Sequence, residues 1–410
     1  MALKAAGTTD TRAARNQYLW YMAGICAFVI PGGIQTILFP WLIVVKLDLK
    51  ADLLGIAQMC LQLPALLFIL FGGLLADRFD GRKILMILHV VAAIPASVLA
   101  LTLHEGRLSY SVMIAYAIAM GSIVAFINPA RDGMLNRIAL GGLQRTVTVA
   151  MGLTFGAQIF GYAAASRADT TGPVGLLVLQ SLLMLSGAIA AFRLAPAPPY
   201  GIPGRRELAN ITRIVDGLKV VFHSPRMRPT MILLFGMSLF YGGSFSVLNP
   251  IMVRDFYDGS SARISMSFGA FMLGTILMTI VLVIRGGLQR HGRGLVIALV
   301  LGGFCLLAAA TYPSFPVYLA SLFVWGLFGA VAISMTRTIM QESAPDEYRA
   351  RVMSIFSLGN LGGTPLGALL MGFIATRFGP LTGFVFSAAA MMSIAVACAL
   401  LTPIWRIEQH

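Results

Sequence analysis

Four acids and one histidine stand in or beside long apolar runs, and their chemistry is the first to weigh. Asp52, Asp132, Asp255 and Glu342 lie near the ends of such runs, and His89 lies inside one. An ionisable group at membrane depth is costly and marks a proton or ion path by default. His89, Asp132, Asp255 and Glu342 are therefore candidate proton carriers. No carboxylate falls at mid-depth in the first run, which argues against a strongly cationic solute held by a central acid. Neutral polar residues are better placed. Gln35, Gln58, Gln62, Gln158, Asn249 and Asn360 can hydrogen-bond a solute, with Tyr241, Phe245 and Trp325 as apolar walls. Solute pockets are mostly apolar with a few placed polar groups. The same amides also serve as hydrogen-bonded glue between helices, and both readings stay open.

Other chemistry is excluded. The chain has no nucleotide-binding P-loop, no nucleophile elbow and no His/Cys/Glu metal cluster. Cys26, Cys60, Cys305 and Cys398 all sit within apolar runs, without metal-type spacing, and read as small packing residues with no disulfide role. The expectation is a non-enzyme without cofactor or metal, driven by a gradient.

The elements that must carry these side chains follow from composition. The 410 residues are 58% hydrophobic and 11% charged, with a mean hydropathy of +0.84. A soluble domain carries about 25% charged residues, so lipid must solvate most of this chain. Apolar runs predict helices at 18–45, 52–76, 83–103, 109–136, 144–166 and 173–193, then 229–254, 263–286, 294–312, 315–341, 350–375 and 380–403. This is an all-α membrane protein of twelve transmembrane helices. The first 17 residues are polar and the first run is too long for a signal core, so the first span is expected to remain.

The chain also repeats itself. Gly32, Gly33 and Pro40 reappear 210 residues on as Gly242, Gly243 and Pro250. Arg131, Met134, Arg145, Gly156 and Gly161 reappear 206 residues on as Arg337, Met340, Arg351, Gly362 and Gly367. Duplicated halves with a solute site between them are a common transporter plan. The expected division is a six-helix bundle at 1–193, a cytoplasmic linker at 194–228 and a second six-helix bundle at 229–410. Six spans per half restore direction, so the repeats are parallel. Gln35 and Asn249 then come from equivalent helices, which favours the cavity for both.

Charge sets the orientation. With the N-terminus inside, 23 Lys and Arg fall in cytoplasmic segments and seven on the far side: Lys46, Lys50, Arg107, Arg167, Arg254, Arg263 and Arg377. That asymmetry fits an even number of spans with both termini cytoplasmic. The net charge of +14 does not point to nucleic acid, because no basic domain stands apart from the spans. Within the linker, the apolar spacing of Leu208 to Phe222 predicts a helix lying along the membrane surface.

Between the second and third spans runs Gly72-Gly73-Leu74-Leu75-Ala76-Asp77-Arg78-Phe79-Asp80-Gly81-Arg82-Lys83. Gly73 permits close helix approach, and Asp77 can cap a helix N-terminus. The spacing G-x-x-x-D-R-x-x-G-R-K resembles the signature of the major facilitator superfamily, matched by Gly73, Asp77, Arg78, Gly81, Arg82 and Lys83. The resemblance covers nearly the whole chain. It implies two six-helix bundles that rock about a central cavity, with this loop as a cytoplasmic gate. It makes Asp132 the fourth-span partner of Arg78 or Arg82, and the helix starting near Arg351 the site that Asp77 caps. Between spans eight and nine, Gly286-Gly287-Leu288-Gln289-Arg290-His291-Gly292-Arg293 echoes the loop without its aspartate, which predicts a weaker second gate. Tyr162 stands where antiporters of the family carry a proline.

Asn128-Pro129-Ala130-Arg131, Ser224-Pro225-Arg226-Met227-Arg228 and Gln341-Glu342-Ser343-Ala344-Pro345 resemble the branch of drug and siderophore exporters typified by the enterobactin and macrolide exporters. The expectation is proton-coupled export of a small amphipathic compound from a bacterial inner membrane, by a monomer embedded in lipid. Import of a neutral metabolite, and a non-transporting membrane sensor, are the alternatives.

Overall fold

The structure, a computed structural model, describes residues 2–138, 143–196 and 211–408. The linker stretch 197–210 and the side chains of Asp77 and Arg145 lie outside the described residues. Every regular element described is helical. Lipid offers no hydrogen bonds, so each spanning segment must satisfy its own backbone, and a helix does so within one segment.

The spans in order are one, Ala2–Trp41 with the π-turn Leu42–Lys46; two, Ala51–Arg78; three, Gly81–His104; and four, Tyr110–Ile138. Span five is Leu143–Ala165 and span six Pro173–Phe192. Span seven runs Met227–Phe256, with π-turns at Met237–Gly242 and Ser244–Leu248. Then come eight, Ser261–Arg285; nine, His291–Ala310; ten, Phe315–Ser343; eleven, Arg349–Phe378; and twelve, Pro380–Leu401. Eleven are long and apolar enough to cross a membrane by themselves; the described apolar part of span five, Val149–Ala165, is shorter. Local signals set the ends. Asp80 caps span three by accepting from the Arg82 amide at 2.9 Å, and Gly286 closes span eight in the left-handed region at φ 72°.

Span three divides its surface into an exposed apolar face and a buried one. On span three Ile87, Val90, Ile94, Val98 and Leu101 are exposed at helical spacing, while Leu85, His89, Ala92, Ala96 and Leu99 are buried.

Contacts gather the chain into two units. The first takes Met1–Phe39 and Pro64–Pro203, the second Pro40–Leu63 and Gly204–His410. In the first unit spans one and five cross backbone on backbone. A Cβ on Gly33 would lie 2.5 Å from the Gln158 carbonyl oxygen and 2.9 Å from Gly161 Cα. In the second unit spans seven and eleven cross the same way: a Cβ on Gly243 would lie 2.5 Å from the Gly367 oxygen and 2.8 Å from its Cα. Gly33 and Gly243, and Gly161 and Gly367, are the repeat-related positions, so the duplication builds the same crossing twice.

The second unit also holds the linker helix, Ile211–His223. Part of its apolar face packs on protein. Gly217 sits against Ile355 and Arg351 of span eleven, and Val221 is buried with Met227, Met231, Ile355 and Phe356. The expected helix is present over Ile211–His223, and its described C-terminal half packs on span eleven while Phe222 stays exposed; Leu208 to Asn210 lie outside the described residues.

Candidate functional site

In each unit, an amide on the first helix of the repeat is held by a tyrosine on the fourth. In the first unit the Tyr116 hydroxyl donates to Gln35 Oε1 at 3.0 Å. Gln180 Nε2 of span six donates to that hydroxyl at 2.8 Å. Phe39 stacks on Tyr116 at 6.0 Å. In the second unit the Tyr318 hydroxyl donates to Asn249 Oδ1 at 2.8 Å. Asn249 is completely buried, and its Nδ2 finds no partner among the described residues. Sequence reasoning missed Tyr116, Gln180 and Tyr318. A tyrosine in an apolar run carries no signal of whether its hydroxyl has a partner.

Three of the other four amides have partners. Gln158 Nε2 donates to the Tyr162 hydroxyl at 2.9 Å, one turn along the same helix. Gln58 Nε2 reaches the Ser246 carbonyl at 3.4 Å. Asn360 Oδ1 accepts from Ser238 at 3.2 Å. Gln62 is half-buried, with no hydrogen bond among the described residues.

The three aromatics named from sequence do come together, joined by Phe268 and Phe271 of span eight. Tyr241 meets Trp325 edge-on at 5.7 Å, and Phe245 lies 4.6 Å from Phe268 and 4.4 Å from Phe271. The Tyr241 hydroxyl donates to the Leu299 carbonyl at 2.6 Å, which fixes its ring. The cluster is carried partly on the π-turns of span seven; such turns are frequent at functional sites.

The titratable candidates are dispersed. His89 is buried, edge-on to Phe28 at 6.0 Å and against Gly187, with no partner for Nδ1 among the described residues. It lines a small cavity of about 20 Å³ with Tyr21, Arg131 and Gly187, room for about one water. The Tyr21 hydroxyl donates to the Arg131 carbonyl at 2.9 Å. Asp132 is largely exposed, 3.7 Å from Arg131 Nε. Asp255 pairs with Arg254 at 2.6 Å, and Glu342 faces His291 Nδ1 at 3.3 Å. Just beyond span seven, burial and neighbouring Tyr312 push the Tyr257 hydroxyl up to about 12, so it stays a donor, to the Pro313 carbonyl at 2.6 Å.

At the motif loop, the close approach falls at Gly72, which sits against the Ala125 carbonyl of span four; at Gly73 nothing stands within 4 Å of an added Cβ. Gly81 leaves 3.1 Å to the Met134 sulfur. Arg82 lies over the Phe192 ring at 5.1 Å. Arg78 and Lys83 are exposed, and no ion pair joins Asp132 to Arg78 or Arg82 among the described residues. The echo loop is clasped instead by the chain's last described residues. The Gly292 amide donates to the Ile407 carbonyl at 3.1 Å, Arg293 Nε to the Trp405 carbonyl at 3.3 Å, and Arg290 pairs with Glu408 at 3.3 Å.

Set beside known proteins, the chain matches the family model described as Major Facilitator Superfamily over residues 21–282 and 234–408. It is 25% identical to the multidrug efflux pump Tap of Mycolicibacterium fortuitum, covering 90% of this chain and 91% of that one. It is 24% identical to the enterobactin exporter EntS of Shigella boydii, covering 80% and 78%. Among solved structures it resembles a mutant of the nucleoside transporter NupG, with a TM-score of 0.75 at 14% identity over 94% of this chain and 99% of that one. That likeness is one of fold.

Proposed function

The chain belongs to the Major Facilitator Superfamily, and from that we propose that this multi-pass membrane transporter exports a small amphipathic compound, a drug or siderophore, in exchange for protons. The bundles 1–193 and 229–410, joined by 194–228, would alternate access to a shared cavity in a bacterial inner membrane, as a lipid-embedded monomer with both termini cytoplasmic. The observation that carries the reading is that an efflux pump and an exporter each align over most of both chains. Residues of the second unit suit the solute class: the amides of Gln58 and Gln62 offer hydrogen bonds, and Tyr241, Phe245 and Trp325 cluster as aromatic surface. His89, beside a water-sized cavity, is kept as a candidate proton carrier, and its packing against Phe28 and Gly187 fits a structural interface histidine as well. The motif loop with Asp77 and Asp132 is assigned the cytoplasmic gate.

The pairing of Asp255 with Arg254 and Glu342 with His291 favours a second reading, a facilitator for a neutral metabolite, because few acids are left to carry a proton. A thermal-shift screen of drugs, siderophores and metabolites would find a stabilising ligand. Flux of that ligand into proteoliposomes with and without an imposed pH gradient then decides. A rate that follows the gradient supports proton exchange, and indifference to it leaves the facilitator.

A further inference from the structure

Arg254 is one of the few bases on the side assigned as non-cytoplasmic, and its contacts lie within the second unit. Its Nε donates to Asp255 Oδ1 at 2.6 Å, which braces the guanidinium. Its Nη1 then donates to the Leu49 carbonyl at 2.7 Å and reaches the Val44 carbonyl at 3.4 Å. These two carbonyls flank the end of span one. Helix C-termini leave carbonyls without partners and carry the negative end of the dipole. Here the π-turn and the left-handed Asp48, at φ 48°, send the Leu47 amide to Leu42 and the Leu49 amide to Ile43. The Val44 carbonyl is thus passed over by the local ladder, and a cation from span seven takes it.

A second seam runs beside this one. The Asp52 amide donates to the Thr376 hydroxyl of span eleven at 2.8 Å. Gly55 and Gly372 let spans two and eleven touch backbone to backbone, an added Cβ on Gly55 standing 3.2 Å from Gly372 Cα. The 210-residue offset places Val44 at the position of Arg254, so the cation stands in one copy and its acceptor in the other.

We propose that Arg254 is a positioning residue that latches the far end of span one to span seven, and that the latch must part for the far side to open. The proposal rests on the alternating-access reading. Asp255 is then the brace of the latch and not a proton carrier. A backbone acceptor makes the latch indifferent to substitution at Val44 and Leu49 and dependent on the cation alone. Lysine keeps the charge but cannot serve Asp255 and a carbonyl at once with a rigid fork.

The test is a distance measurement between spin labels at the exposed positions Lys46 and Asp258, on the full chain in lipid nanodiscs, with the four native cysteines replaced by alanine. A charge-assisted hydrogen bond is worth about tenfold to a hundredfold in an equilibrium. Arg254→Gln is expected to raise the population at longer distance by about that factor, with Arg254→Lys between it and the parent. Asp255→Asn is expected to shift it less. An Arg254→Gln protein that folds, by an unchanged thermal midpoint or circular dichroism, and shows the parent's distance distribution overturns the latch. A latch that opens as expected in a protein whose solute flux ignores every gradient leaves it standing and overturns proton-coupled export.

Discussion

Replacing Gly33 and Gly243 together with alanine tests whether the duplication builds two equivalent crossings. The added Cβ at Gly33 meets a carbonyl oxygen at 2.5 Å and at Gly243 another at 2.5 Å. Both obstacles are backbone, so no side chain can swing aside. Overpacking of this kind costs about 1–3 kcal/mol per site. Better helix propensity offsets about 0.8–1 kcal/mol of that. The net is on the order of 1 kcal/mol per site, and the two sites have no neighbour in common, Gly33 meeting Gln158 and Gly161 and Gly243 meeting Gly367, so their costs should add. At about 1 °C per kcal/mol for a chain of 410 residues, the double variant should melt roughly 2–3 °C below the parent in detergent, and each single variant about half as far. Gly73→Ala is the control, because nothing stands within 4 Å of its Cβ; it should melt with the parent or slightly above. A double variant that melts with the parent, or a Gly73→Ala that falls as far, would refute the crossing argument.

Three further outcomes are expected. Tyr318→Phe leaves the buried Asn249 Oδ1 unpartnered and should lower stability by about 1–3 kcal/mol, read as a thermal midpoint; an unchanged midpoint would remove the pair as a structural element. Asp77→Asn should cut solute flux strongly with normal membrane insertion, whereas Asp80→Ala, which removes a cap on span three, should cost about 1 kcal/mol of stability and leave flux per folded molecule near the parent's. Deleting residues 402–410 should speed tryptic cleavage after the half-buried Arg293 in inside-out vesicles, because the Trp405 carbonyl that holds it is gone; equal cleavage rates would show that the clasp protects nothing.

The spans were legible because lipid imposes one rule on every segment, and a run of apolar residues is its direct trace. The repeat offsets also pointed to the right glycines, although only geometry shows that Gly33 faces Gly161 and Gly243 faces Gly367. What could not be read is of a different kind. Arg254 bonds to backbone carbonyls some 205 residues away, and a carbonyl is the same at every position, so no residue type announces it. Tyr116 and Tyr318 look like any aromatic in an apolar run until the hydroxyl is seen to reach an amide. The linker helix shows why periodicity names a face but not its partner. An apolar stripe is equally suited to lipid and to span eleven, and the choice lies in residues more than a hundred positions downstream.

The clasp on the echo loop has a consequence for how the protein is made. Residues 286–293 leave the ribosome well before Trp405, Ile407 and Glu408 exist. At about 5–20 residues per second, their partners arrive on the order of ten seconds later. Throughout that interval Arg290 and Arg293 lack these partners at the membrane surface, where anionic headgroups are the nearest counter-charges. The clasp is therefore a handover, from phospholipid to protein, that waits until residues 405–408 have been made.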